Sequence, residues 1–208
     1  MRTLVACLLG IVLLLGPGSG WACQLPGTGQ TTCWDSNGNV ISCAGTGEDG
    51  ELRKGAPLAY ADHGDGTVAD VNTGLVWEKL SDDGTVHDKD NLYTWANAFG
   101  GHVATLNAMN FAGHNDWRLP NIRELQSIAN YQSVNPAVSS PFNNNCAPGC
   151  HATTCSCTAS SDYWSSTSSV SDPSGAWYVT FSYGRVDAFG RSGGKSSAAF
   201  VRAVRGGS

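Results

Sequence analysis

The chain has 208 residues and a formal net charge of −5, a size that suits one domain with a small appendage. Its cations form no basic stripe, which excludes a nucleic-acid-binding module. Past residue 22 no apolar run approaches the roughly 20 residues a membrane span needs, so no transmembrane span is expected.

Residues 1–22 have the order of a secretory signal peptide. Arg2 supplies the positive start, residues 4–15 are almost wholly apolar, and Gly20 and Ala22 sit at the small-residue positions of a cut after Ala22. The mature chain is therefore expected to be exported, to the periplasm, the cell surface or the medium. Cys23 would be its first residue, and it stays open whether that thiol is lipidated, paired or free. Gly20-Trp21-Ala22 fits a lipoprotein signal poorly.

Residues 23–57 are rich in Gly, Thr and Ser and read as a disulfide-pinned lead-in to a domain over 58–208. Cys33 and Cys43 bracket a stretch containing Asn37-Gly38, a strong two-residue hairpin signal, so these two cysteines are expected to pair. The sortase-like LPGTG at 25–29 sits at the wrong end of the chain for anchoring and reads as turn chemistry.

From Tyr60 to Leu80 short extended pieces alternate with Gly-rich turns. Asp62, Asp65 and Asp70 invite a calcium reading, but their spacing lacks the alternate ligands and closing Glu of an EF-hand loop. Residues 92–109 suit a helix, with Trp95, Ala98, Phe99, Val103 and Leu106 at spacings of three and four and a weak point at Gly100-Gly101. A second helix is expected over 121–129, with Asn121 as N-cap and Glu124 completing a capping box. Pro120 fixes the entry to it. The preceding Trp117-Arg118-Leu119 then reads as a strand-to-helix corner, Trp117 and Leu119 inward and Arg118 turned away.

Cys146, Cys150, Cys155 and Cys157 crowd one loop around His151. Zinc is one reading, because thiolate and imidazole are its ligands. Two disulfides are the other, favoured by export and by the lack of paired C-x-x-C spacing, with their connectivity open.

Three strand-like pieces follow, at Tyr163–Thr167, Ala176–Phe189 and Ala199–Arg205. With a two-residue turn at Tyr183-Gly184, the middle piece folds into a hairpin that places Ser182 opposite Arg185. One face then carries Trp177, Val179, Phe181, Val186 and Ala188. The other, facing solvent, carries Tyr178, Thr180, Ser182, Arg185, Asp187 and Phe189. Residues 23–110 hold 12 Asp and Glu against 4 Lys and Arg, whereas 111–208 hold 5 against 7, so a polyanion would meet the C-terminal half.

An ordered set of motifs now stands out. A DGDGTVxD…TGLVW pattern is nearly complete over Asp62–Trp77, with His63 in its second place. GHNDWRLPNIREL, YWSST, AWYVTFSYGRV and VRAVRGG follow in turn. The set resembles the Lcl C-terminal domain family over about residues 60–207. The Arg-Leu-Pro before a helix and the closing VRAVRG are also similar to C-type-lectin-like and formylglycine-generating-enzyme-like folds. The resemblance implies an α+β fold of the C-type-lectin-like kind, with two helices, a twisted antiparallel sheet and long irregular loops. Related folds serve adhesins that bind sulfated polysaccharides.

The function expected is that of a non-catalytic, adhesin-like binding module for glycan or another surface ligand. Its patch would be Arg185, Asp187, Phe189, Arg191 and Lys195 with Tyr178 and Tyr183 alongside. Guanidinium groups suit sulfate or carboxylate, and the aromatic rings suit stacking on sugar. The lectin tripeptides Glu-Pro-Asn and Gln-Pro-Asp are missing, which speaks against calcium-mediated sugar binding. A structural envelope or appendage protein using the same face on a partner chain, or on a second copy, is the alternative. Catalysis is not expected: His63, His87, His102, His114 and His151 are scattered, with no nucleophile elbow. Nor does the Cys cluster sit near the closing strand, where formylglycine-generating enzymes would need it. No cofactor and no metal ligand is expected.

Overall fold

The computed structural model describes residues 25–188 and 193–206. The signal peptide, Cys23, Phe189 and Arg191 lie outside the described residues. The fold is α+β, with a few short helices and several antiparallel sheets.

The lead-in holds a hairpin of β1 (Cys33–Trp34) and β2 (Val40–Ile41), closed by the expected Cys33–Cys43 disulfide. Its turn is wider than the Asn-Gly signal predicts. Trp34 pairs with Val40, and the Asp35 carboxylate takes the main-chain N–H groups of Asn37 and Asn39, each at 2.9 Å. That local acceptor competes successfully with the two-residue turn. A short helix, α1 (Asp49–Leu52), follows, and Gln132 ties the lead-in to the domain through Thr31 and Thr32.

The domain opens with β3 (Tyr60–Asp62), β4 (Thr67–Asp70) and β5 (Val76–Glu78), the extended pieces expected from the Gly-rich turns. After β6 (Tyr93–Thr94) comes the expected helix, in three parts: α2 (Trp95–Asn97), a π-helical segment (Ala98–Val103) and α3 (Ala104–Ala108). The π turn falls on Gly100-Gly101, where missing side chains let the helix widen. Widening there carries the neighbouring His102 into the interior.

The Trp-Arg-Leu-Pro corner forms as read, with Trp117 and Leu119 buried and α4 (Ile122–Ser127) starting on a complete capping box. Arg118 is less idle than expected. Its guanidinium grips both carboxylate oxygens of the capping Glu124 at 2.8 Å and reaches the Gly206 carbonyl. One carboxylate thus serves the helix start and the corner together.

The last third supplies β7 (Asp162–Ser168), β8 (Ala176–Thr180), β9 (Arg185–Ala188), β10 (Ala198–Ala199) and β11 (Val204–Arg205). One sheet has the order β11-β5-β4-β3 and another the order β7-β8-β9, while β10 pairs with β6. The single strand expected over 199–205 is therefore split. Its middle crosses between sheets, and Arg202 is wholly buried there, donating to the carbonyls of Glu78 and Cys157 and to Thr158 Oγ1 at 2.7–2.8 Å.

The hairpin also differs from expectation in two respects. Thr180, not Ser182, lies opposite Arg185, so the turn spans four residues, 181–184. Phe181 leaves the strand because its N–H donates to the Ser161 carbonyl, its own carbonyl accepts from Ala137, and its ring packs on Tyr163. The shift is by an even number of positions, so Arg185 and Asp187 keep their shared face. Second, β8 is a central strand covered on both sides. Val179 packs in one core cluster with Trp77 and Phe142, and Tyr178, only 7% exposed, packs in the other with Trp117 and Trp164.

Candidate functional site

Two places collect chemistry-bearing side chains. The first is the turn end of the β8–β9 hairpin. Arg185 and Asp187 are exposed on β9, 3.6 Å apart. Tyr183, 52% exposed, lies under the Arg185 guanidinium at 5.8 Å. Tyr131, 40% exposed, joins them by donating from its hydroxyl to the Gly184 carbonyl. Gly184 has φ +80°, and a Cβ there would come within 3.0 Å of the Tyr131 ring. Tyr178 stands behind this group, its hydroxyl raised above the usual range by burial and by nearby Asp162 and Asp187, and hydrogen-bonded to Arg185.

Lys195 is placed elsewhere. Its ammonium donates to Ser168 Oγ and the Pro173 carbonyl and lies 4.2 Å from the Trp95 ring centre. Ser168 pairs with Ala176, at the opposite end of β8 from Arg185. Four residues of strand separate the two ends, about 13 Å.

The second place was invisible in the sequence. Glu78, the last residue of β5, is fully buried. Its carboxylate accepts from His87 Nδ1 and His102 Nε2, each at 2.7 Å, and from the Ala203 N–H at 2.9 Å. Burial pushes this carboxyl up, and the contacts with His102 and His87 outweigh burial and hold it well below the usual carboxylate range. The five histidines that look scattered are thus partly gathered. A search for an acidic residue inside an apolar strand would have flagged Glu78 in Leu-Val-Trp-Glu-Lys-Leu, yet nothing local names its partners.

His87 also lines an open cleft of about 320 Å³, together with Gly66, Val86, Phe111, His151 and Ala152. His151 Nδ1 meets Asp83 Oδ2 at 2.7 Å. Asp83 also accepts from Ser81 Oγ, Thr85 Oγ1 and the Thr85 N–H. Burial raises its carboxyl, and the Thr85, Ser81 and His151 contacts overcome that and hold it well below the carboxylate range. The cleft is framed by the Cys-rich loop, whose disulfides are Cys146–Cys157 and Cys150–Cys155. The loop is tied to the opposite wall by Asp82 N–H to the Cys150 carbonyl at 3.1 Å and by Cys157 N–H to the Leu80 carbonyl at 2.9 Å.

The sulfurs of Cys150, Cys155 and Cys157 cluster within 4.8 Å, but as disulfides they offer no thiolate to zinc. Asp82, Asp88 and Asp90 also cluster, with the Lys89 ammonium against Asp82 and Asp90 as their counter-charge. The aspartates read as calcium candidates are engaged otherwise: Asp62 with Lys79 and the Gly64 N–H, Asp65 with Thr67, and Asp70 with Asn72 and Thr73.

The family model of the Lcl C-terminal domain matches residues 66–205, a span containing both places. Comparison with curated proteins and with solved structures finds no match. Among the described residues no helix is long and apolar enough to cross a membrane.

Proposed function

We propose, from the premise that the chain belongs to the Lcl C-terminal domain family, that it is an exported, adhesin-like, non-catalytic binding module. Its ligand is a glycan, with sulfated polysaccharide as the favoured class, or another surface ligand, and its fold is of the C-type-lectin-like kind. The observation that carries this reading is the exposed group of Tyr183, Tyr131 and Arg185 at the hairpin turn. Two tyrosine rings provide stacking surface, and the guanidinium provides planar recognition of sulfate or carboxylate. Arg185, Asp187 and Tyr183 make up the inner patch, and Tyr178, buried behind them, supports it. Lys195 extends the basic surface at the far end of the strand, and Phe189 and Arg191 belong to the same segment of chain. Three disulfides among the described residues accord with export.

The test is binding of residues 23–208 to arrays of neutral and sulfated glycans at two salt concentrations. Salt-sensitive binding that is lost in Tyr183→Ala and in Arg185→Ala supports the reading, and binding that survives both refutes the assignment to this patch. A second reading, a structural protein docking on a partner chain, is favoured by the position of β9 as the outer strand of its sheet. Loss of self-association in the same variants, with no glycan bound by the parent, selects that reading.

A further inference from the structure

The two disulfides of the Cys-rich loop lie against one another. Cys146 is bonded to Cys157 and Cys150 to Cys155, yet Cys150 Sγ and Cys157 Sγ, which belong to different bonds, are only 3.8 Å apart. The sulfurs of Cys150, Cys155 and Cys157 all lie within 4.8 Å of one another. Exposure falls along the set: Cys146 is exposed, Cys150 half-buried, and Cys155 and Cys157 are buried. A thiolate attacks a disulfide at the sulfur it can reach and expels the other. From solvent the residue reached is Cys146. The sulfur expelled is then that of Cys157, the one in contact with the second disulfide.

We infer that this loop is a thiol–disulfide exchange site for a small external thiol, in which the opening of Cys146–Cys157 is passed on to Cys150–Cys155. In the first step the thiolate of the incoming thiol bonds to Cys146 Sγ, the Cys146–Cys157 bond breaks, and Cys157 leaves as a thiolate. In the second, Cys157 Sγ closes on Cys150 Sγ, from 3.8 Å to a bond of about 2.05 Å, and Cys150–Cys155 breaks. Cys155 takes up the proton that the incoming thiol gave up. The chain then carries a mixed disulfide at Cys146, a Cys150–Cys157 bond and a thiol at Cys155, with no net oxidation or reduction.

The surroundings suit each end of this relay. The wholly buried Arg202 guanidinium holds the Cys157 carbonyl at 2.7 Å, and a cation beside a cysteine favours its thiolate. Cys155 Sγ lies 3.2 Å from the His151 carbonyl oxygen, which can accept the new S–H. Cys155 is 1% exposed, so the thiol left there is shielded from further attack. The bond that holds the His151 segment then spans a separation of 7 residues instead of 5, which loosens one wall of the cleft. Disulfides that serve only as staples need no contact between sulfurs of different pairs. The site is independent of the hairpin patch, so each can fail without the other.

The experiment exposes folded, oxidised residues 23–208 to millimolar reduced glutathione. The protein carries Cys23→Ser, so that the seventh cysteine of this span cannot start the exchange. Quenching with N-ethylmaleimide in mild acid and denaturant, followed by tandem mass spectrometry, then locates every sulfur. The expected result is glutathione on Cys146, N-ethylmaleimide on Cys155 and a Cys150–Cys157 bond, none of them found without glutathione. Replacing Cys150 and Cys155 together by Ala removes the acceptor of the second step, and N-ethylmaleimide is then expected on Cys157. The deciding outcomes are read in the chain that keeps all four loop cysteines, so none depends on that variant folding. There, glutathione on Cys146 with N-ethylmaleimide on Cys157 and Cys150–Cys155 intact, glutathione entering at Cys150 or Cys155 instead, or no glutathione taken up would each overturn the inference.

Discussion

Replacing Glu78 with Ala removes the acceptor on which three donors converge. His102 is buried, and its Nδ1 already lacks a partner, so losing the Nε2 bond leaves the ring with none. The Ala203 N–H is equally enclosed. Hydrogen bonds to a charged group are worth about 1.5–3 kcal/mol each, and breaking one member out of a buried charged set costs about 3–5 kcal/mol. The expected loss for Glu78→Ala is therefore about 3–5 kcal/mol, a large share of a typical 5–15 kcal/mol domain stability. Glu78→Gln should lose much less. Its amide oxygen can keep His102 and Ala203, while its NH₂ faces His87, which can respond by moving its own proton from Nδ1 to Nε2. Equilibrium urea unfolding, with disulfides intact and a chelator present, measures both changes. A Glu78→Ala midpoint corresponding to less than about 1 kcal/mol of destabilisation would refute the claim that this carboxylate organises the interior.

Three further outcomes are expected. The Glu124 carboxyl is pushed up by burial but held below its ordinary range by Arg118 and the Asn121 N–H, so its folded value lies under its unfolded one of about 4.3. Its contribution is fully present above that pH and is lost as acid takes it through the folded value, so wild type and Glu124→Gln should differ in thermal stability at pH 7 and converge on acidification. Gly184→Ala places a side chain at φ +80° against Tyr131 and should destabilise by about 1–2 kcal/mol, read as a lowered midpoint without loss of helix or sheet signal. Replacing Cys150 and Cys155 together by Ala should destabilise by about 2 kcal/mol and loosen the loop bearing His151, read by faster amide exchange at residues 150–155.

What the sequence determined by itself is what short-range chemistry controls. The capping box at Asn121 and Glu124 was legible because both partners lie within one helical turn. Burial of Trp117 and Leu119 followed from alternation, and the Cys33–Cys43 pair from a short span that can close in few ways. The Gly100-Gly101 weak point was visible too, though not that the helix would widen there instead of ending. The shared face of Arg185 and Asp187 survived a mistaken turn because side-chain alternation depends only on parity.

Tertiary structure decided the rest. Whether Tyr178 meets solvent or core depends on β8 gaining neighbours on both sides and cover on both faces, a fact of assembly that no window of sequence contains. The turn register was set by Ser161 and Ala137 capturing Phe181 from distant positions. Glu78 meets His87 and His102 across 9 and 24 residues, and Asp83 meets His151 across 68. Such partners are found only when the chain has folded, because a buried carboxylate must take its donors from whatever the surrounding elements bring within hydrogen-bond distance.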